Sequence, residues 1–169
     1  RIRDLPKLVK ELGQTAVAIT DHGVMYGAID FYRACKAQGI HPVIGCEVYV
    51  ARRTRLDKTY ELDAESRHLV LLCENETGYR NLSYLVSQAF VDGFYIKPRI
   101  DLDLLRRHSE GLIGLSACLA GEIPRRLVNG DYDGAKEYAL TMQDILGEGN
   151  FYLELQDHGI PDQTTVNRG

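Results

Sequence analysis

The sequence predicts an α/β fold, a mostly parallel sheet, open or closed into a barrel, with helices covering it. Two observations carry that prediction. Apolar runs with little polar alternation recur at 16–19, 42–50, 68–73, 111–118 and 151–156, the pattern of strands buried on both faces. Between them lie segments with apolar residues at helical spacing, bounded by caps and glycines, and such alternation marks a sheet covered by helices.

The elements follow in order. Residues 4–13 read as a short amphipathic helix: Asp4 caps it, Pro6 sits in the first turn, Leu5, Leu8, Val9 and Leu12 form one stripe, and Gly13 ends it. The run from Ala16 to Ile19 then reads as a buried strand that passes through Thr20 into Asp21, His22 and Gly23. A second helix spans 26–38 and stops at Gly39, and a second strand spans 42–50 with one carboxylate, Glu47, inside it. Residues 51–66 are polar and aperiodic, a surface loop. The third strand opens on His68, and residues 77–89 carry Leu82, Leu85, Val86 and Ala89 on one helical face. The second half repeats the rhythm with helices at 101–108, 123–128 and 131–146, strands at 111–118 and 151–156, and a last segment beyond Gly159. One stretch breaks it. Residues 90–100, Phe-Val-Asp-Gly-Phe-Tyr-Ile-Lys-Pro-Arg-Ile, read as a loop with aromatics and two cations, suited to a rim or interface and equally to a pinned surface connection.

The chain of 169 residues is 44% apolar, enough for one sizeable core, so 1–169 reads as one unit. A formal charge of −4 argues against a surface built to hold nucleic acid phosphates, and any contact with DNA would be local. The four cysteines, Cys35, Cys46, Cys73 and Cys118, form no Cys-x-x-Cys pair and lie in or beside apolar runs, which points to a reducing, cytoplasmic setting without disulfides. No apolar run reaches membrane-spanning length, so no membrane partner is expected. The chain opens inside a helical pattern without an initiator Met, as an internal piece of something longer would.

Polar side chains of metal-ligand type recur at the strands: His22, Glu47, His68 and Cys118. Imidazole, carboxylate and thiolate gathered on one pocket form a zinc, manganese or iron site, where the ion activates a water and clamps a phosphoryl oxygen. Each residue also has a plainer reading, a strand histidine as a hydrogen-bonded core group and Cys118 as a small apolar filler. Glu47 is the exception, since a buried carboxylate needs a cationic partner. Because adjacent strand residues face opposite ways, His22 is assigned as ligand or base and Asp21 as its support. His41, His108 and His158 lie at loops or helix ends and are not assigned as ligands.

Five stretches stand in order: Thr-Asp-His-Gly-Val-Met-Tyr-Gly-Ala at 20–28, Ile-Gly-Cys-Glu-Val-Tyr-Val at 44–50, His-Leu-Val-Leu-Leu at 68–72, Leu-Ser-Ala-Cys-Leu-Ala-Gly-Glu-Ile-Pro at 115–124 and Leu-Glu-Leu-Gln-Asp-His-Gly at 153–159. Together they resemble the polymerase branch of the PHP (polymerase and histidinol phosphatase) domains, those of the bacterial DNA polymerase III alpha family. The resemblance implies a distorted seven-stranded α/β barrel with its first and last strands outside this chain. His22, Glu47, His68 and Cys118 match its metal-ligand positions and Asp21 a supporting one, with divalent ions, zinc or manganese, as cofactors. It implies a parent nucleotidyltransferase acting in cytoplasmic DNA replication. The PHP site would be a 3′-5′ exonuclease or a platform for the proofreading subunit, with DNA and other replicase subunits as further partners. The flanking His-x-His and Asp-x-His motifs of the family lie outside these residues, so the isolated chain is expected to be marginally stable, to take up metal weakly and to be inactive as a nuclease. A free-standing phosphatase for a small ester such as histidinol phosphate is the alternative, and a binding module without metal a third reading.

Overall fold

The Asp4–Gly13 pattern forms helix α1 (Leu5–Glu11), which leads into β1 (Ala16–Ile19). A computed structural model describes all residues 1–169. The chain continues through α2 (Ala28–Gln38), β2 (His41–Ala51), the single turn α3 (Tyr60–Asp63), β3 (Ser66–Cys73) and α4 (Glu76–Val91). It then passes through β4 (Arg99–Ile100), α5 (Leu102–Arg107), β5 (Leu112–Leu115), α6 (Glu122–Val128), α7 (Tyr132–Leu146), β6 (Phe151–Tyr152) and α8 (Pro161–Arg168). Capping is legible in three helices, where the side chains of Asn75, Asp101 and Asp131 accept the N–H groups of Gly78, Leu104 and Gly134.

The strands form one six-stranded sheet in the order β1-β2-β3-β5-β6, with β4 also paired to β2. The sheet is mostly parallel, as the sequence predicts, with one strand reversed. β1 and β4 run parallel to β2, and β6 parallel to β5, but β3 is antiparallel to both of its neighbours. A parallel return from β2 needs a crossover helix. The connection over 52–65 contains only the single turn α3, so the chain folds straight back.

The face of β2 and β3 that carries Cys46, Val48, Val50, Leu69 and Leu71 packs on α4, α5 and α7 and forms the main core with Leu82, Leu85, Ile100, Leu105, Met142 and Leu146. Burial of this area is the dominant stabilising term. A smaller cluster of Val9, Phe31, Cys35 and Ile40 joins α1 and α2 to the inner side of β1.

Three sequence expectations change. β1 is an edge strand with Ala16 and Ala18 exposed, because helices cover only its Val17 and Ile19 side. The run at 151–156 pairs over Phe151 and Tyr152 alone. The loop at 51–66 is anchored, not free: Arg55 binds Asp92 and Asp101, Arg53 binds Asp63, and the fully buried Arg99 donates to the backbone carbonyls of Gly93, Asp63, Arg55 and Asp57. No helix is long and apolar enough to cross a membrane.

Candidate metal centre

The antiparallel turn of β3 has a direct consequence for the site. His68 lies near the start of its strand, and in a parallel sheet it would sit at the far end from Glu47. Reversal instead places His68 across from Tyr49, two residues beyond Glu47. Because side chains alternate along a strand, Glu47, Tyr49 and His68 share the face opposite the main core.

His22 arrives from the other side of β2. Beyond the end of β1 it bridges to Glu47 in parallel register: the Glu47 N–H donates to the Asp21 carbonyl (3.0 Å) and the Gly23 N–H donates to the Glu47 carbonyl (2.9 Å). Gly23 then turns with φ +69°, and a β-carbon there would lie 2.8 Å from the Tyr49 ring, so the position needs glycine for both conformation and space. Cys118 comes from the segment after β5. Ala117, just before it, has φ +62°, an uncommon conformation for a residue with a β-carbon. The Gly121 backbone pairs with His68, whose N–H donates to the Ala120 carbonyl (3.1 Å).

Four donor side chains from four separate segments thereby meet. His68 Nδ1 lies 2.5 Å from Glu47 Oε1, and His22 Nε2 lies 3.5 Å from Glu47 Oε2. The Cys118 thiol is 3.7 Å from Glu47 Oε1 and 3.5 Å from His68 Nδ1. One ligand atom from each of His22, Glu47 and His68 fits within 4.8 Å of the other two. The two imidazole rings stand edge to face at 5.7 Å, and Tyr49 meets His68 edge-on at 5.1 Å. Glu47 and His68 are partly buried and His22 is open to solvent, so the cluster has two shielded donors and one accessible from outside.

The electrostatics are those of a site that carries a proton. Hydrogen bonds with Cys118 and Glu47 push His68 up to about 9 against the effect of burial. The hydrogen bond from His68 holds the Glu47 carboxyl below its usual range, although burial opposes it, and the charge of His22 adds to the effect. A cation entering among these donors would replace that proton, as metals do at imidazole and carboxylate ligands. Two imidazoles, a carboxylate and a thiol form the donor set of a borderline divalent ion such as zinc.

His22, Glu47, His68 and Cys118, singled out from the sequence, are all brought together. Asp21 stands behind them: its carbonyl accepts from the Glu47 N–H and from the Cys46 thiol (3.2 Å), while its carboxylate lies beside Gly27. The other histidines lie elsewhere, His41 exposed at the start of β2, His108 against Tyr84 and His158 on Gln163. Sequence reasoning missed Tyr49, a buried ring against His68, and Lys97, whose Nζ lies over that ring at 5.4 Å. A signal for Tyr49 existed, since it lies two residues from Glu47 and so shares its face.

The PHP domain model matches residues 1–158. The DNA polymerase III alpha subunits of Treponema pallidum and Borreliella burgdorferi are each 45% identical to the chain over 98% and 99% of its length, and that of Thermus aquaticus is 44% identical over 99%. The chain spans only 14 to 15% of the length of these relatives. Among solved structures, a protein of Bifidobacterium adolescentis provisionally named a metal-dependent phosphoesterase aligns over 99% of this chain and 78% of its own, at 13% identity and a TM-score of 0.45, a likeness too distant to bear on the chemistry. With the family model matched over almost its whole length and its strand-end donors gathered in one pocket, this chain belongs to the PHP domain family.

Proposed function

We propose that the chain is the PHP region of a bacterial DNA polymerase III alpha subunit and that His22, Glu47, His68 and Cys118 hold a divalent ion, zinc or manganese, in a phosphoesterase site. The observation that carries this reading is the convergence of four donors of metal-ligand type, spread from residue 22 to residue 118, on one partly shielded pocket. A bound ion would supply an activated water and polarise a phosphoryl oxygen. The protein's part is to orient the donors. Glu47 lies between the two imidazoles, Tyr49 limits the swing of the His68 ring, and Asp21 fixes the Glu47 backbone from behind.

In the parent, further strands would pair with the free edges of β1 and β6 to give the seven-stranded barrel of the family. Nucleotide addition would belong to another region of a cytoplasmic replicase. DNA, the proofreading subunit and other replicase subunits would be its partners, and the PHP site would act as a 3′-5′ exonuclease or as the docking platform for the proofreading subunit. The 44 to 45% identity to polymerase subunits favours this over a free-standing phosphatase for a small ester.

The test is metal uptake by equilibrium dialysis on the intact parent subunit, compared among wild type, Glu47→Gln and Asp21→Asn. Glu47→Gln should lose the bound ion. Asp21→Asn keeps the backbone carbonyl and removes one negative charge, so stoichiometry should hold while affinity falls roughly tenfold, as for other supporting residues. Equal uptake by wild type and Glu47→Gln would refute the metal site, and loss of a full equivalent in Asp21→Asn would make Asp21 a ligand.

A further inference from the structure

We propose that Lys97 takes a backbone phosphate of a single-stranded polynucleotide lying across the His22–Glu47–His68 pocket, and so favours a strand over a small phosphate ester; this rests on reading the pocket as a phosphoester site. The first observation is backbone strain. Ile96 has φ +63°, and Tyr95 and Lys97 bond across it in both directions, Tyr95 N–H to the Lys97 carbonyl at 3.0 Å and Lys97 N–H to the Tyr95 carbonyl at 2.6 Å. A β-branched residue in the left-handed region is a true outlier, and such strain persists only where the surrounding structure holds it. Ile96 is 51% exposed, so burial of its own side chain does little to offset that strain.

What the reversal achieves is direction. Arg99 anchors the far side of the turn through four backbone carbonyls and lies 5.3 Å from the Tyr95 ring centre. Pro98 lies against Gly23, close beside His22. Between these fixed points Lys97 is carried over the buried Tyr49 ring, whose edge meets His68. The chain thus holds a cation one aromatic ring away from the donor cluster.

Lys97 is exposed and is not consumed by the ion pairs that occupy its neighbours: Arg55 is taken by Asp92 and Asp101, and Arg99 by carbonyls. Stacking on Tyr49 is a weak attraction at an exposed site and does not by itself offset the strain of the turn. An ammonium is a compact charge with three donors, well suited to a phosphate. Its offset from the pocket selects which phosphate. A phosphoryl group at the donor cluster is one ring away, so Lys97 meets the next one along, and a small monoester has no second phosphate to offer.

The experiment uses the full chain with zinc and a 5′-labelled oligothymidylate, binding being followed by fluorescence anisotropy over a series of salt concentrations, with inorganic phosphate as competitor. Loss of one phosphate contact on a single strand should lower the slope of log K against log salt by about 0.7. Lys97→Met should show that loss, Lys97→Arg should restore the slope, and the affinity lost should be several-fold larger for the strand than for inorganic phosphate. An unchanged slope in Lys97→Met, equal losses for strand and phosphate, or no strand binding by the wild type would each overturn the proposal. Glu47→Gln separates the two readings. If zinc and Glu47→Gln leave phosphate competition unaltered, the metal-site reading fails, whereas the Lys97 slope is judged on the strand alone.

Discussion

At the scale of single residues, the site depends on side chains being aimed as well as being present. The two non-glycine residues with positive φ, Ile96 and Ala117, each precede a side chain directed to the pocket or its rim, Lys97 and Cys118. Ala117 is buried, and its neighbour Ser116 accepts the Glu154 N–H at 2.8 Å, so the turn is held through Ser116. The left-handed conformation costs alanine about 1–2 kcal/mol, and glycine would relieve it while losing a buried methyl worth about 0.8 kcal/mol. Ala117→Gly is therefore expected to change stability by less than about 1 kcal/mol. Ala117→Val places a β-branched side chain where it fits badly and should cost about 2–3 kcal/mol as well as displacing the Cys118 thiol. Urea unfolding midpoints of the two variants test this, and wild-type stability in Ala117→Val would mean that the turn does not constrain the residue.

At the scale of elements, the antiparallel course of β3 was the least legible feature of the sequence. The runs of residues identified the strands and helices, and the motifs identified Glu47 and His68, but an apolar run carries no mark of direction. The clue lay in the connector, since 52–65 has no helical periodicity and so no crossover to offer. The anchoring of that connector was hidden for another reason: its partners Asp92, Arg99 and Asp101 lie some forty residues away in the chain. Asp101 joins the two parts. It caps α5 through Leu104 N–H and accepts the Arg55 N–H (2.9 Å) and guanidinium (3.1 Å). Burial raises its pKa, but these bonds outweigh burial and hold it below the usual carboxylate range. A carboxyl whose pKa is depressed on folding stabilises above its unfolded value and loses that contribution as pH falls through the folded one. The urea midpoint should therefore drop as pH is lowered from about 4, and Asp101→Asn, less stable at neutral pH, should show a shallower drop. Parallel acid profiles for the two proteins would remove Asp101 from the acid response.

At the scale of the whole molecule, the sheet ends in two unpaired edges, and each leaves apolar surface near it. Beside β6, Tyr152, Leu153 and Leu155 are 53%, 61% and 72% exposed, and at the β1 end Leu8 and Leu12 of the α1 region are 52% and 66% exposed. An edge strand with free N–H and carbonyl groups is a template for pairing with another chain, and adjacent exposed apolar side chains add area that water disfavours. The edge at β6 is the stronger candidate, because its strand is short and the apolar residues continue directly from it, whereas β1 presents only Ala16 and Ala18 outward. The chain by itself is therefore expected to self-associate with rising concentration, through the β6 side first. Sedimentation velocity over a concentration series measures this directly. Leu153→Glu with Leu155→Lys introduces charges where the side chains are already solvated, so the thermal midpoint should hold while association falls. Wild-type chain that stays monomeric across the series, or a double variant that associates as readily, would show that the free edges are not what governs its behaviour in solution.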